Sequence, residues 1–255
     1  MLKDKVAVIY GAGGAIGGAV ARAFAREGAQ VFLTGRAYAA VEAVAREIGA
    51  AAAEVDALDE VAVDAHLESV IGCAGRVDIS FDAIGIPDAT LVGVPMIEMA
   101  LARFVLPIAA YTTSYFLTAR HAARRMIPRR SGVIMTATAL LSRSGVPLVG
   151  GYGAAMAAKE ALTRCLSAEL APHGIRVVGL RPQAMPETST IREAFEPRAA
   201  GTSWEHWQQM LASKTHPRRL MTLEEMANVA AFLASDRATG MTGTTVNLTM
   251  GTLDD

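Results

Sequence analysis

Apolar residues in this chain follow two spacings that alternate from one end to the other. Short apolar runs predict β-strands at 6–10, 31–34, 52–55, 79–84, 133–138, 176–180 and 245–248. Between them, apolar residues that return every three or four positions predict helices at 15–28, 38–48, 58–72, 108–126, 152–171 and 223–234. Strands that alternate with helices usually pair in parallel, so the pattern predicts an α/β fold with helices on both faces of one sheet of about seven strands.

One long segment, residues 183–221, breaks this alternation. It carries prolines and both tryptophans, Trp204 and Trp207, in short helical stretches without a strand. We interpret residues 1–255 as one domain and this segment as a lid over an apolar substrate, because long loops in compact domains are usually functional. The alternative is that the tryptophans only anchor the segment to the core.

Composition excludes several classes of partner. Apolar residues make up 52% of the 255 residues, but no run approaches the ~20 residues of a membrane span. The net charge is −1 with scattered basic residues, so we expect small molecules rather than nucleic acid or a membrane surface. No secretory leader is evident, and Cys73 and Cys165 fit neither a metal site nor a disulfide framework. We expect both as buried residues of a cytoplasmic protein.

A glycine-rich turn follows the first strand. Gly11, Gly13, Gly14 and Gly17 stand in the segment GAGGAIG, where the first helix begins. Such glycines let backbone N–H groups approach a pyrophosphate, and the start of the helix adds positive potential. Ile16 occupies the place of the last glycine in the strict dinucleotide fingerprint, but the position after the first strand still predicts dinucleotide binding.

Over nearly its full length the chain resembles the short-chain dehydrogenase/reductase family. The family's T-G-x-x-x-G-x-G turn appears as YGAGGAIG, and its N-N-A-G strand end appears as Asp82-Ala83-Ile84-Gly85. Residues 162–182 and 221–248 are similar to the family's later segments. The resemblance implies a Rossmann-type doubly wound sheet, NAD(P)-dependent oxidoreductase activity, and a homo-oligomer, tetramer or dimer, formed through the helices at 108–126 and 152–171.

The resemblance also implies cofactor contacts. Arg36, after the second strand, stands where NAD-preferring relatives place an acid, so it favours NADP(H) over NAD(H) by binding the 2′-phosphate. Adenine and nicotinamide contacts are implied for Asp56, Ala57, Gly85, Pro182 and Thr188. The alternatives are that Arg36 is simply solvated at a strand end, and that Asp56 is the N-cap of the next helix.

The family's catalytic set is altered here. Tyr152 matches the catalytic tyrosine, but Ala139 stands at the serine, Tyr111 at the asparagine and Met156 at the lysine. Losing one oxyanion donor typically costs about 3 kcal/mol of transition-state stabilisation. Ordinary carbonyl reduction is therefore not favoured.

Lys159 is the candidate replacement for the missing lysine. The seventh position downstream on a helix returns to within about 20° of the start, so Lys159 shares a face with Tyr152 and is expected to orient the nicotinamide ribose and stabilise charge near the phenol. This Tyr-x6-Lys spacing is also that of the family's enoyl reductases. The alternative is a surface lysine that pairs with a neighbouring acid.

These features lead to three hypotheses. The first is NADPH-dependent reduction of the C=C bond of a hydrophobic enoyl or other α,β-unsaturated carbonyl compound, with Tyr152 and Lys159 as catalytic residues. The second is an atypical carbonyl reductase or alcohol dehydrogenase in which Thr138 or Ser142 supplies the missing hydroxyl. The third is an inactive member of the family that binds NADP(H). No metal site is expected.

Overall fold

The described residues form helices on both faces of a parallel sheet. The computed structural model describes residues 1–87, 91–196, 199 and 201–254. Within these ranges the seven strands are β1 (Val6–Tyr10), β2 (Gln30–Gly35), β3 (Ala51–Glu54), β4 (Ile79–Asp82), β5 (Gly132–Ala137), β6 (Ile175–Pro182) and β7 (Thr244–Leu248). They are ordered β3-β2-β1-β4-β5-β6-β7, and every neighbouring pair is parallel. The predicted Rossmann-type fold class is therefore confirmed.

Eight α-helices occur in the described ranges, and six of them cover the two faces of the sheet. The eight helices are α1 (Ala15–Arg26), α2 (Tyr38–Ile48), α3 (Glu60–Ala74), α4 (Leu101–Met126), α5 (Tyr152–Leu170), α6 (Ser189–Phe195), α7 (Trp204–Ala212) and α8 (Leu223–Ala234). Buried residues of α1, α2 and α8 share one apolar core with the sheet. Buried residues of α3 and α4, with the end of α5, form the core on the opposite face.

Two expectations about local structure are wrong. Helix α4 begins at Leu101, seven residues before the predicted start, although proline ordinarily ends or kinks a helix. Pro107 lies within this helix and is buried. A Cβ atom built at Gly151 would lie 3.2 Å from the Pro107 ring. The proline within α4 is therefore packed closely against the start of α5. The two cysteines, Cys73 and Cys165, are exposed rather than buried.

The strand order places a crevice at one edge of the sheet. Strand β1 lies between β2 and β4, so the chain runs outward in both directions from the β1–β4 pair. In sheets of this kind a crevice forms beyond the carboxyl ends of the strands where the order reverses, and ligands bind there. Among the described residues, no helix has the length and apolar character needed to span a membrane.

Candidate active site

The glycine turn after β1 is packed too tightly for side chains at two positions. Gly11 has a φ of 77°, and a Cβ there would lie 2.5 Å from the carbonyl oxygen of Ala83 in the segment after β4. A Cβ at Gly17 would lie 2.4 Å from the carbonyl oxygen of Gly11. The turn therefore needs glycine at both places, and it joins the end of β1 to the end of β4.

The start of α1, next to this turn, has the features of an anion-binding site. Gly14 is its N-cap, no side chain of the described residues caps it, and the first turn holds no acidic residue. A Cβ at Gly13 would approach Ala40 Cβ to 2.9 Å, so the turn also lies close to α2. Ile16 packs its half-buried side chain against the core. Uncapped amides and close-packed glycines fit the pyrophosphate of a dinucleotide.

The residues expected near adenosine lie beyond the paired strands β2 and β3. Arg36 is exposed directly after β2. The Asp56 carboxylate accepts a hydrogen bond from the Leu58 N–H at 3.0 Å, and Ala57 is buried beside it. The N-cap of α3 is Asp59, which accepts from two amides of the first turn. The alternative that Asp56 caps this helix is therefore wrong.

The residues expected near nicotinamide lie beyond β4 and β6. Gly85 follows β4, and a Cβ there would meet no described atom within 4 Å, so close packing does not require this glycine. Pro182 is the last residue of β6. Thr188 is the buried N-cap of α6, where its hydroxyl donates to the Met185 carbonyl at 2.8 Å. The predicted cofactor contacts of these residues stay predictions.

Tyr152, the candidate proton donor, is the first residue of α5 and is half-buried. Its ring meets the Tyr111 ring edge-on, with centroids 5.7 Å apart and planes inclined by 65°. The Tyr111 hydroxyl accepts a hydrogen bond from the Ile86 N–H at 3.1 Å. The structure thus brings the tyrosine at the family's asparagine position into direct contact with the candidate catalytic tyrosine.

Tyr152 packs its half-buried side chain against an apolar cluster of the described residues. Ala139 and Met156, at the serine and lysine positions, both belong to the cluster around the phenol, and Met156 is fully buried in it. The other members of this cluster are Ile84, Ile86, Leu91, Val92, Ile108, Tyr111, Leu141, Val146, Val149, Ala155 and Ala194. Methionine fills the space of the missing lysine, and no hydroxyl replaces the serine at position 139. Such walls suit a hydrophobic compound.

Lys159 lies beneath Tyr111 and is fully enclosed. Its ammonium donates to the Asp82 carboxylate at 2.9 Å, and both side chains are 1% exposed. The same nitrogen lies 5.6 Å from the ring centroids of Tyr111 and Tyr115. The alternative of a surface lysine is therefore wrong. The sequence did not predict Asp82 as the partner of Lys159. The one feature that marks Asp82 in the sequence is that it is an acidic residue at the end of the apolar strand ISFD.

A second buried ion pair, between Arg181 and Glu160, lies on α5 and β6. The hydroxyls of Thr138 and Ser142 hydrogen-bond to the carboxylate of this pair. Arg181 donates to Glu160 through Nε and Nη2, at 2.8 and 2.9 Å. Thr138 donates to the same carboxylate at 3.2 Å, and so does Ser142. Burial raises the pKa of Glu160, but the hydrogen bonds from Arg181, Ser142 and Thr138 outweigh it and hold this pKa below its ordinary value. Both hydroxyls therefore serve Glu160, which disfavours the carbonyl-reductase hypothesis that needs one of them beside Tyr152.

The aromatic residues of the predicted lid pack mainly on one another. Trp204 and Trp207 stack with ring centroids 5.5 Å apart, and Phe195 contacts both rings. Ala194, beside Phe195, belongs to the cluster around Tyr152. The segment therefore has its own aromatic core and reaches the site through α6. Its residues 197, 198 and 200 lie outside the described residues.

Comparison with known proteins matches this chain to dehydrogenases and reductases. A family model described as enoyl-(acyl carrier protein) reductase matches residues 11–252. The chain is 30% identical to secoisolariciresinol dehydrogenase of Forsythia intermedia, over 95% of this chain and 86% of that protein. It is 29% identical to peroxisomal 2,4-dienoyl-CoA reductase of Rattus norvegicus, over 95% of this chain and 82% of that protein.

A solved reductase structure is also similar to this chain. The 3-ketoacyl-(acyl-carrier-protein) reductase of Brucella melitensis, solved with NADH, matches with a TM-score of 0.88 and 27% identity, over 99% of this chain and all of that chain. Relatives of this chain are thus named dehydrogenases and reductases, and nicotinamide cofactors are bound within the group. The parallel sheet, the glycine turn and these matches agree that the chain is an oxidoreductase that belongs to the short-chain dehydrogenase/reductase family.

Proposed function

We propose that the protein uses NADPH to reduce the C=C bond of a hydrophobic α,β-unsaturated carbonyl compound, such as an enoyl thioester or an enone. The observation that carries this proposal is the apolar cluster around Tyr152, which has alanine and methionine where carbonyl reduction would need a hydroxyl and an ammonium. The family model described as enoyl-(acyl carrier protein) reductase supports the same reaction class.

The chemistry explains why one phenol suffices. When bound, the reduced nicotinamide supplies a hydride to the β-carbon of the substrate. The electron pair of the C=C bond then moves toward the carbonyl oxygen and gives an enolate, whose charge is shared between carbon and oxygen. Such an oxygen is less basic than a saturated alkoxide. Tyr152 donates a hydrogen bond to it, and a proton taken from solvent water then completes the saturated product at the α-carbon.

Lys159 keeps a supporting role in this proposal. Its ammonium is fixed on Asp82 beneath the Tyr111 ring, and that ring in turn contacts the Tyr152 ring. Lys159 and Asp82 thereby support the Tyr111 ring that packs against the candidate proton donor. Direct contact of Lys159 with the cofactor ribose is not part of this proposal, because its side chain is 1% exposed and its ammonium is bound to Asp82.

NADPH is proposed over NADH because of the residues beyond β2. Arg36 is exposed there, and a guanidinium suits the dianionic 2′-phosphate. The uncapped start of α1 and the close-packed turn at Gly11 and Gly17 suit the pyrophosphate of either cofactor.

Homo-oligomers and a cytoplasmic location complete the proposal. Four large apolar side chains of α4 are exposed, namely Leu101, Val105, Leu106 and Phe116. Exposed apolar residues along one helix are typical of an interface between subunits. Light scattering on the purified protein tests this, and a monomer at micromolar concentration would contradict it.

The function is tested by following NADPH consumption with two matched series of substrates. One series contains enoyl thioesters and enones, and the other contains the corresponding saturated thioesters and ketones. We expect turnover of the unsaturated series alone, with kcat/KM reduced about a hundredfold or more by Tyr152→Phe. Turnover of saturated ketones without turnover of enones would overturn the proposal.

A matched variant guards against a nonspecific effect. Tyr38→Phe removes a phenol that is exposed at the start of α2, away from the apolar cluster. Its kcat/KM is expected to equal that of the unmodified protein. An equal loss in both tyrosine variants would show that the assay reports folding and not the chemistry of Tyr152.

A further inference from the structure

The ion pair between Asp82 and Lys159 joins parts of the chain that are far apart in sequence. Asp82 is the last residue of β4, Lys159 lies two turns along α5 from Tyr152, and 77 positions separate them. Both side chains are 1% exposed. The pair therefore has almost no contact with solvent.

Stability alone does not explain such a pair. Moving two charges out of water costs several kcal/mol for each ion, and apolar residues of similar volume often give equal or greater stability. Burial raises the pKa of the neighbouring Tyr115 phenol, which stays neutral and does not share the charge. Asp82 is thus the countercharge of Lys159 among the described residues, which makes a role in positioning worth testing.

The pair lies directly beneath the segment that follows β4. The Lys159 ammonium lies over the Tyr111 ring, 5.6 Å from its centroid, and the hydroxyl of this same Tyr111 accepts the hydrogen bond from the Ile86 N–H. At its other end the segment is pressed against the glycine turn, since a Cβ at Gly11 would lie 2.5 Å from the Ala83 carbonyl oxygen. Residues 83–86 are therefore fixed at three points: Asp82 before them, Tyr111 at their far end, and Gly11 beside them.

We propose that Asp82 and Lys159 are positioning residues that set the backbone of residues 83–86 as the wall of the nicotinamide half of the cofactor site. This inference rests on the proposed function, because it assumes that a nicotinamide dinucleotide lies across the crevice. The adenosine half is held by different residues, beyond β2 and β3, and does not depend on the pair.

The experiment separates the two halves of the cofactor. The double variant Asp82→Asn/Lys159→Met removes both charges together, so no buried charge is left without a partner. Dissociation constants are measured by calorimetry for NADPH, for NADH, and for adenosine 2′,5′-bisphosphate, which lacks the nicotinamide half. We expect NADPH binding to weaken about tenfold, while binding of the bisphosphate stays within about twofold.

Turnover provides a second readout. A misplaced nicotinamide wall is expected to lower kcat about a hundredfold, with little change in KM for the enone. The control is Arg22→Met/Glu47→Gln, which removes an exposed ion pair between α1 and α2. It is expected to leave all three dissociation constants unchanged.

Each outcome decides the inference. Unchanged NADPH affinity in a folded double variant overturns it, because a purely structural pair would give that result. If the double variant does not fold, Tyr111→Phe takes its place, since it removes the acceptor of the Ile86 N–H and keeps the ring. Unchanged NADPH affinity in that variant then overturns the inference.

The two proposals fail in different ways. A protein that binds NADPH but reduces no enone contradicts the proposed function, while the affinity ratio between NADPH and the bisphosphate still tests the positioning role. A protein that binds neither NADPH, nor NADH, nor the bisphosphate overturns both.

Discussion

Arg181 and Glu160 meet as a two-pronged ion pair, with Nε and Nη2 of the guanidinium 2.8 and 2.9 Å from the two carboxylate oxygens. Glu160 is on α5, eight positions after Tyr152, and Arg181 is the next-to-last residue of β6. The pair thereby joins the helix that begins at the candidate proton donor to the strand that leads into the lid.

Breaking this pair from one side is expected to destabilise the protein. Glu160→Gln leaves the buried Arg181 charge without a carboxylate, and removing one partner of a buried pair typically costs about 3 kcal/mol. Urea unfolding at neutral pH measures the change. Glu169→Gln, an exposed carboxylate on the same helix, is the control and is expected to change the free energy of unfolding by less than about 0.5 kcal/mol. Equal values for the two variants would contradict the prediction.

The same carboxylate predicts a pH dependence. The pKa of Glu160 is lowered in the folded protein from its ordinary value of 4.5. Its contribution is therefore present above about pH 4.5 and is lost as the pH falls through the folded pKa. The difference in free energy of unfolding between the unmodified protein and Glu160→Gln should stay constant from neutrality to about pH 4.5 and shrink as the pH is lowered further. A difference that stays constant down to strongly acidic pH would argue against this assignment.

Helix and strand positions could be predicted from the sequence because their signals are local. The predicted and observed limits agree for β1 (Val6–Tyr10), α2 (Tyr38–Ile48) and α8 (Leu223–Ala234). Thr222 and Glu225 cap α8 reciprocally, and such a signal lies within four residues. The start of α4 was missed because Pro107 is stabilised by packing against α5, and packing between helices has no local signal.

The site was only partly predictable for the same reason. The glycine turn and Tyr152 are recognisable as short motifs. The environment of Lys159 depends on Asp82 and Tyr111, which lie on other elements. Helical spacing therefore predicted the helix face on which Lys159 lies, but it could not predict the residue with which Lys159 pairs. The hydroxyls of Thr138 and Ser142 were plausible donors until Glu160 was found to bind both.

The glycine turn provides a prediction about cofactor affinity. Gly17→Ala places a Cβ 2.4 Å from the Gly11 carbonyl oxygen, so the turn must move away from its present course. We expect NADPH affinity to fall about tenfold or more. At Gly14 the nearest atom to an added Cβ is 3.3 Å away, and φ is −83°. Gly14→Ala is therefore the milder neighbouring change, and equal losses in both variants would contradict the steric argument.

The preference for NADPH is predicted to depend on Arg36. Arg36→Asp replaces a charge-assisted bond to the 2′-phosphate by repulsion, which should weaken NADPH binding by about 3 kcal/mol, or roughly a hundredfold. NADH binding should be equal or stronger, because a carboxylate suits ribose hydroxyls. Calorimetry with both cofactors measures the ratio.

A neighbouring arginine serves as the control for this prediction. Arg46→Gln alters an exposed arginine that pairs with Glu42 farther along α2, and its affinities should stay unchanged. If Arg36→Asp leaves the ratio of NADPH to NADH affinity unaltered, Arg36 does not select the cofactor.

The stacked tryptophans have a practical consequence. The chain contains two tryptophans, and both, Trp204 and Trp207, lie on α7 within the aromatic core of the lid. Indole fluorescence of the unlabelled protein therefore originates from this one segment. A ligand that shifts the emission maximum or lifetime reports a change at α7, and stopped-flow fluorescence can time that change without introducing a probe.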